Sequence, residues 1–291
     1  MNDVSQIGVE LRPAEPADAA DLGRICYEAF RTISTEHNFP PDFPNVEAAI
    51  GLMSMLISHP EVYSAVAQQN GRILGSNFLW ESDPVAGIGP ITVDPNAQNA
   101  SVGRTLMEDA LRRTDEKGTL SVRLVQAAFH NRSLSLYTKL GFDTVEPLST
   151  IQGPALHLQI EGYDVRKMTT EDLDDVESLC IRVHGHSRRN EAAGGIATGT
   201  ATVVEHHGRI VGYSTLVGFF GHTVGESNDA VKALIGAAEI FAGPGFLLPT
   251  RNSDLMRWCF ENGLKITQPM TLMSRGIYQE PRGSFLPSIL F

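Results

Sequence analysis

The chain has 291 residues, 42% of them hydrophobic and 20% charged, which is enough for one large domain or two ordinary ones with a buried core. This composition excludes intrinsic disorder as the main state. Its 23 Lys and Arg residues against 34 Asp and Glu give a net charge of −11. Because the basic residues form no patch or tail, nucleic acid is excluded as an expected partner.

The start of the chain has neither a basic nor an apolar targeting region, and no window has the roughly 18 uninterrupted apolar residues of a membrane span. We therefore expect a cytoplasmic protein with no membrane partner. Cys26, Cys180 and Cys259 are far apart and odd in number. They are typical of buried, inert thiols and not of disulfides or a zinc site.

Hydrophobic periodicity and turn residues in the first half predict the element order β-α-α-β-β-β-α-β-α-β. Asn70-Gly71 is typical of a tight hairpin turn, and Gly141 of the end of a helix. The predicted strands are residues 9–12, 62–67, 73–80, 89–93, 120–129 and 142–145, and the predicted helices are 18–36, 46–58, 102–117 and 133–140.

The second half repeats landmarks of the first half in the same order. Arg12 and Asp18 match Arg166 and Asp172, Gly71 to Gly75 match Gly208 to Gly212, and Gly141 and Pro147 match Gly263 and Pro269. The offset falls from 154 to 137 to 122 residues, so the second copy lacks 15 residues between Gly212 and Gly263. This repetition predicts a duplicated unit, with domains at 1–150 and 151–291.

Residues 91–107 of the first copy have the pattern of an anion site. A predicted strand leads through a short polar loop directly into a helix, whose first amides carry a partial positive charge. Ala100, Ser101 and Gly103 are small enough to admit a phosphate, and Gln98 and Arg104 can add donors. An ordinary strand-to-helix turn has the same pattern, so both interpretations stay open at this point.

Five features of the first copy extend this pattern: Val93-Asp-Pro95, Gln98-Asn-Ala-Ser101-Val-Gly103, Asn131, Tyr137 and Gly141-Phe142. Together with the element order they resemble the GNAT superfamily of acyl-CoA-dependent N-acyltransferases over residues 1 to about 150. Ser101 departs from the family, which usually has glycine there. The fold class that the resemblance implies is α/β (α+β), with two tandem GNAT-like domains, each a mixed, mostly antiparallel sheet flanked by helices.

The resemblance also implies an activity, namely direct transfer of an acetyl group from acetyl-CoA to a primary amine of a small molecule in a ternary complex. Tyr137 is the implied general acid for the departing thiolate, since a phenol with a pKa near 10 is protonated at neutral pH. Asn131 would hold the cofactor arm or cap its helix. The other implied contacts are Gln98, Asn99, Ala100, Ser101, Val102, Gly103 and Arg104 for the pyrophosphate, and Ile91, Thr92 and Val93 for the pantetheine arm and the thioester carbonyl.

Two points leave alternatives open. The acceptor amine must lose a proton, yet residues 87–93 contain no acid, so Glu81, Asp83 and His130 are the nearest candidates for a base. The alternative for Tyr137 is that it packs between helix and sheet with its hydroxyl at the rim, although the motif around it favours catalysis. The missing acid and the serine at position 101 favour a second hypothesis, a CoA-binding sensor or scaffold without catalysis.

The second copy has no counterpart of the phosphate loop. Glu226 and Asp229 stand near the helix start, where negative charge would repel a pyrophosphate, and Tyr137 corresponds to Trp258 or Cys259. We therefore expect a degenerate domain that binds no CoA. The apolar tail, residues 282–291, is expected to be buried on the chain or in a homodimer contact. No metal is expected at the clustered histidines, which are His184, His186, His206, His207 and His222.

Overall fold

The computed structural model describes residues 8–97 and 101–290, which divide into two compact units. Unit 1 contains the chain up to Glu81 and from Ile88 to Thr119, and unit 2 contains Ser82–Gly87 and the chain from Leu120 onward. The boundary between the units therefore differs from the boundary between the two sequence copies near residue 150. The assignment of separate domains to 1–150 and 151–291 stays a prediction.

Strands and helices follow the predicted mixed α/β class. The strands within the described ranges are β1 (Glu10–Arg12), β2 (Val62–Gln69), β3 (Arg72–Trp80), β4 (Val85–Ile88), β5 (Thr92–Val93), β6 (Ser121–Ala127), β7 (Asp143–Gln152), β8 (Asp164–Lys167), β9 (Thr202–His206), β10 (Arg209–Ser214), β11 (Thr223–Gly225), β12 (Phe246–Pro249), β13 (Lys265–Gly276) and β14 (Ser284–Leu286). The helices are α1 (Ala19–Glu36), α2 (Val46–Ser58), α3 (Val102–Glu116), α4 (Asn131–Lys139), α5 (Leu173–His184), α6 (Arg189–Ala197), α7 (Asn228–Ala237) and α8 (Ser253–Glu261).

Unit 1 has β1, β2 and β3 as antiparallel neighbours, with β5 also paired to β3. Side chains alternate across this sheet. Val66 and Phe78 belong to a core formed with α1 and α2, whereas Ala65 and Ala67 belong to a core formed with α3. The sheet is thus covered on both faces, which fixes the start of α3 against β2 and β3.

Helix α2 shows how local signals set an element. The Asn45 side chain accepts a hydrogen bond from the amide of Ala48 at 2.9 Å, which caps the first turn. His59-Pro60 follows the last helical residue, and a proline restricts the residue before it to extended backbone. The predicted range, 46–58, is confirmed.

In unit 2 the two sequence copies exchange strands. The order of neighbours is β4, β6, β13, β7 and β12, so β13 of the second copy lies between two strands of the first copy. Ala127 of β6 pairs with Met270 of β13, and the residues related to them by the 122-residue offset, Pro249 and Leu148, also pair. A first-copy strand therefore pairs with a second-copy strand in the same register at two places in the sheet. Each copy contributes strands that lie beside those of the other copy.

A second sheet of unit 2 has the order β14, β11, β10, β9 and β8, all antiparallel. One of its cores contains Val203 and Tyr213 with residues of α5, and another contains Val204 and Val211 with residues of α7. This arrangement of a helix on each face matches that of unit 1 and agrees with the predicted duplication.

The Arg and Asp landmarks of the repeat have a structural role. Arg12 binds both carboxylate oxygens of Asp18 at 2.7 and 2.8 Å, and Arg166 binds both oxygens of Asp172 at 2.7 Å. Each aspartate also accepts a backbone amide three residues earlier. The hydrogen bond from Arg166 lowers the pKa of Asp172 to about 2. Each pair therefore joins the first strand of its copy to the helix start that follows.

Three further predictions can be compared with the structure. The single strand over 89–93 is wrong: β4 ends at Ile88, the Gly89-Pro90 bond is cis, and β5 contains only Thr92 and Val93. All three cysteines are buried, as predicted, and burial raises the pKa of each thiol. Among the helices in the described ranges, none has the length and apolar character needed to cross a membrane.

Candidate functional site

Asp94 fixes the backbone between β5 and the predicted phosphate loop. Its amide donates to the carbonyl of Leu74 at 2.8 Å, and its carboxylate accepts from the Asn96 amide at 2.9 Å and from the Arg72 guanidinium at 2.7 Å. Burial opposes the charged carboxylate, but these hydrogen bonds outweigh it and lower the pKa of Asp94. The residue therefore shapes the turn, and its lowered pKa makes it a weak base.

Ser101, which precedes α3, has left-handed backbone angles, with φ of 60° and ψ of 7°. Glycine adopts this region without the steric cost that a Cβ brings. The Ser101 carbonyl accepts the Thr105 amide at 3.0 Å, while its side chain makes no capping hydrogen bond. The serine thus stands in a glycine-type conformation, at the position where the family resemblance places a glycine.

Apolar packing on one side of α3 stabilises its first turn. Val102 is buried together with Leu106, whereas the Arg104 side chain is largely exposed and lies 3.3 Å from Glu108. The amides of a first helical turn have no acceptor within the helix, so they can bind an anion. Gln98, Asn99 and Ala100 lie outside the described residues, and their roles stay predictions, as do those of Val102, Gly103 and Arg104.

Thr92 and Val93, the predicted pantetheine strand, pair with Ser76 and Gly75 of β3. A Cβ at Gly75 would lie only 2.3 Å from the Thr92 carbonyl oxygen, so only glycine admits this close approach. Ile91 precedes β5 and contributes to the same core as Val93. The backbone contacts expected of these three residues with the cofactor stay predictions.

In unit 2, Tyr137 lies on α4 with 6% of its surface exposed, and its ring is 6.3 Å from that of Phe142. Burial raises the pKa of Tyr137 to about 12, and the nearby Ser133 hydroxyl counteracts part of this shift. The phenol is therefore firmly protonated at neutral pH. The ring packs against Phe142, and the role of Tyr137 as a general acid stays a prediction.

Asn131 is the first residue of α4 and is exposed, while His130 occupies the capping position. The proposal that Asn131 caps the helix is therefore wrong, and its contact with the cofactor stays a prediction. His130 is half-buried, and its Nδ1 lies 2.5 Å from Ser133 Oγ. Ser133 was not singled out by the sequence, because a serine inside a helix carries no distinctive spacing.

The two acids proposed as a base are both engaged in other contacts. Both oxygens of Glu81 accept from Arg113 at 2.8 Å, and one also accepts from Lys117. Burial opposes the charge of Glu81, but these cations outweigh it and lower its pKa. Asp83 accepts the amides of Asn190 and Glu191 at the start of α6, although burial raises its pKa. Of the two acids, only Asp83 has a pKa shifted towards neutrality.

The second copy has no room for a phosphate loop, because the segment before α7 is shorter than the segment before α3. Asp94 precedes α3 by eight positions, whereas Glu226 precedes α7 by two. Glu226 is paired with Arg209 and Arg182 at 2.7 and 2.9 Å, and Asp229 is paired with Lys232. The expected repulsion by these two acids is thus weakened by their cations, and the absence of a loop is the stronger reason against phosphate binding.

The C-terminal tail forms β14, which pairs with β11 through Val224 and Phe285. Phe285 and Leu286 are buried, which confirms the expected burial of the tail within the chain. A cavity of ≈ 390 Å³ remains beside it. It is lined by Glu226, Ser227, Asn228, Arg251, Asn252 and Ser284, among others.

The buried His222 of unit 2 is a hydrogen-bonded core residue. His222 is 1% exposed, with Nδ1 at 2.7 Å from Glu191 and Nε2 at 2.8 Å from the Tyr213 hydroxyl. Burial lowers the pKa of His222 despite the adjacent carboxylate, so the imidazole is neutral at pH 7. In the part of the chain that the structure describes, no three or more His, Cys, Asp or Glu side chains are placed to hold a metal ion.

Part of the first copy is similar in sequence to known proteins. Residues 25–142 match the Acetyltransferase (GNAT) family, a range that includes parts of both units. Over 95 residues the chain is 30% identical to a mycothiol acetyltransferase of Thermomonospora curvata. This match covers 32% of the chain and spans only 31% of that relative. Residues 25–142 are therefore similar to acetyltransferase domains of the GNAT family.

Solved structures extend the likeness in fold to nearly the whole chain. A protein of Pyrococcus horikoshii, named only provisionally as an acetyltransferase, has a TM-score of 0.72 at 17% identity, over 98% of this chain and 96% of its own. A tandem GNAT protein from the clavulanic acid biosynthesis pathway has a TM-score of 0.56 at 13% identity, over 92% and 98%. The predicted fold class, tandem GNAT-like, is confirmed.

Proposed function

We propose that the protein is an N-acetyltransferase that moves the acetyl group of acetyl-CoA to a primary amine of a small molecule, by direct transfer in a ternary complex. The observation that carries the proposal is the glycine-type backbone of Ser101 at the start of α3, within the residues that match the GNAT family. This geometry leaves the first-turn amides of α3 for the pyrophosphate, with Arg104 as an additional donor.

When bound, acetyl-CoA supplies an activated thioester. During transfer a carbon–nitrogen bond forms, the carbon–sulfur bond breaks, and the amine loses one proton while the sulfur gains one. Tyr137 is the proposed source of the proton for the sulfur, since burial keeps its phenol protonated and the ring fixed. Asp83 is the proposed proton acceptor, because burial raises its pKa while Glu81 is held ionised by two cations.

Two observations support a small, cationic acceptor. The relative matched over 95 residues is named for acetylation of mycothiol, which is a small molecule. The chain carries a net charge of −11, and an acidic protein attracts a protonated amine from solution more readily than an acidic peptide.

Calorimetric titration with acetyl-CoA tests the first half of the proposal, and release of free CoA thiol in the presence of small primary amines tests the second. We expect saturable binding of one acetyl-CoA per chain and thiol release that depends on the amine. Absence of binding at millimolar acetyl-CoA would refute the cofactor assignment. Binding without thiol release, across small amines and peptide amino termini alike, would refute the enzyme assignment in favour of a CoA-binding sensor or scaffold.

A further inference from the structure

The carboxamide of Gln126 is buried in unit 2 without a hydrogen-bond partner. Gln126 lies near the end of β6 with 6% of its surface exposed, and among the described residues neither its Nε2 nor its Oε1 has a partner. A buried amide that loses its hydrogen bonds to water and gains none in exchange destabilises the folded chain. An orphaned donor and an orphaned acceptor on one buried side chain therefore point to a ligand that pairs with both.

One edge of β6 is open beside Gln126. The parallel pairing of β4 with β6 joins residues 85–87 to residues 121–123 and ends there, although β6 continues to Ala127. Within the described ranges no strand pairs with residues 124–127 along this edge, while β13 pairs with them along the other edge. An open strand edge presents backbone amides and carbonyls to an extended ligand. Backbone and side chain thus offer donors and acceptors at the same end of β6.

The second copy has a leucine where the first copy has Gln126. The 122-residue offset relates Gln126 to Leu248, and Gln126 pairs with Thr271 of β13. Leu248 pairs with Ser149 of β7, which is the residue 122 positions before Thr271, so the two positions have the same strand register. Leu248 is fully buried in an apolar core. This position accepts an aliphatic side chain, so the fold itself does not require a carboxamide there.

The core around Leu248 indicates which helix covers the corresponding face of β6. Leu248 belongs to the same core as Cys259 of α8, and Cys259 corresponds to Tyr137 of α4. Val125 belongs to a different core, and neighbouring residues of a strand point to opposite faces of a sheet. By the repeat, Gln126 therefore lies on the face that α4 covers, and α4 is the helix that carries the proposed acid.

We propose that Gln126 binds the pantetheine arm of acyl-CoA, an inference that rests on the proposed function. The arm contains amide groups, and a carboxamide can donate to an amide carbonyl through Nε2 and accept an amide N–H through Oε1. Burial strengthens such hydrogen bonds relative to those in water. The pyrophosphate is assigned separately to the start of α3, so Gln126 contributes to recognition of the arm and not of the nucleotide.

Replacement of Gln126 by the leucine of the second copy tests the inference in two independent ways. In Gln126→Leu we expect calorimetry to give a dissociation constant for acetyl-CoA about tenfold higher, because a buried amide of the arm loses its partner. The adenine nucleotide portion of CoA, which keeps the pyrophosphate but lacks the arm, should bind within about twofold of wild type. Without ligand, we expect the urea midpoint to rise by roughly 0.5 M, since the unpartnered carboxamide is gone.

Thr150→Val is the matched control. Thr150 is buried on β7, and its Oγ1 has no partner in the described part of the chain, so the substitution should also raise the midpoint but leave acetyl-CoA affinity unchanged. A midpoint that does not rise in Gln126→Leu, or an equal loss of affinity for the nucleotide portion, would overturn the role of Gln126. Unchanged acetyl-CoA affinity in Gln126→Leu would refute this inference alone, whereas a wild-type chain that binds no acetyl-CoA would refute the proposed function with it.

Discussion

Tyr137 and Cys259 occupy the same position, the seventh residue, of two nine-residue helices whose starts lie 122 residues apart. This resolves the open correspondence of Tyr137 in favour of Cys259 over Trp258. Burial raises the pKa of each side chain to about 12, so both are protonated at neutral pH. The difference lies in their neighbours, because Tyr137 has the hydroxyl of Ser133 one turn earlier and Cys259 has Leu255.

Removing the Tyr137 hydroxyl tests its role as an acid. We expect Tyr137→Phe to lower turnover by about 10²-fold, within the range of general acid catalysis, and to leave acetyl-CoA affinity within about twofold of wild type. The ring packing against Phe142 is retained, so stability changes little. Tyr163→Phe, at a tyrosine that stacks on His206 in the same unit, is the matched control. Equal rates for both variants would contradict the assignment.

A carboxylate at the start of α3 tests the anion site. We expect Gly103→Asp to weaken acetyl-CoA binding about tenfold or more, because two like charges about 4 Å apart repel by roughly 1–4 kcal/mol and 1.4 kcal/mol corresponds to tenfold in affinity. An acid in the first turn favours the helix, so unfolding does not explain such a loss. Gly51→Asp, at an exposed site of α2 with open space around it, is the control for calorimetry. Unchanged binding in Gly103→Asp would place the pyrophosphate elsewhere.

The left-handed backbone of Ser101 predicts a stabilising substitution. We expect Ser101→Gly to raise the free energy of unfolding by about 0.5–1 kcal/mol, as glycine removes the Cβ clash but loses more freedom on folding. Ser135→Gly, inside α4, should have the opposite sign, with a loss of about 0.5 kcal/mol. Urea unfolding at constant m-value measures both. Destabilisation by Ser101→Gly would show that the serine hydroxyl makes a contact worth more than the strain.

The pair of Arg166 and Asp172 predicts a pH dependence of stability. The pKa of Asp172 is lowered to about 2 in the folded chain, against about 3.9 in an unfolded one. The stabilisation from this carboxylate is therefore complete above about pH 4 and is lost as the pH falls towards 2. Asp172→Asn should be less stable than wild type at pH 7, with the difference shrinking between pH 4 and 2. The exposed Asp143, replaced by Asn, should show no such convergence in urea midpoints.

Strand exchange predicts that the copies do not fold separately. Because β13 lies between β6 and β7, a fragment of residues 1–150 lacks a central strand of its sheet, and a fragment of residues 151–291 lacks β7. We expect each fragment alone to show little amide dispersion in NMR spectra, and an equimolar mixture to recover the spectrum of the full chain. A folded 1–150 fragment that binds acetyl-CoA would contradict this expectation.

The sequence predicted the bounds of helices and strands better than it predicted which strands pair with each other. Helix α2 could be placed to the residue, because Asn45 and Pro60 act on the backbone beside them. The strand predicted over 89–93 was wrong, although Gly89 and Pro90 are residues that weaken a strand interior. Hydrophobic periodicity also does not show which strands are neighbours in a sheet. The position of β13 between β6 and β7 therefore could not be predicted from it.

In the candidate site, too, local features could be predicted and contacts between residues distant in sequence could not. The glycine-type turn at Ser101 follows from small residues at a helix start, which is a local property. The contacts of Glu81 and Glu226 depend on arginines that lie 32 and 44 residues away in sequence, so their charges could not be judged from composition. The same applies to Ser133, whose hydroxyl oxygen lies 2.5 Å from Nδ1 of His130, a contact that its position in the sequence does not predict.

The interleaving of β7 and β13 also bears on how such a gene can change over time. Deletion of the second half would take away β13, which lies between two strands of the first half. The fold of the first half therefore places a constraint on the sequence of the second half. Substitutions should drift freely around the cavity beside Asn252, while the side chains of β13 that face the shared core, such as Met270 and Leu272, stay apolar.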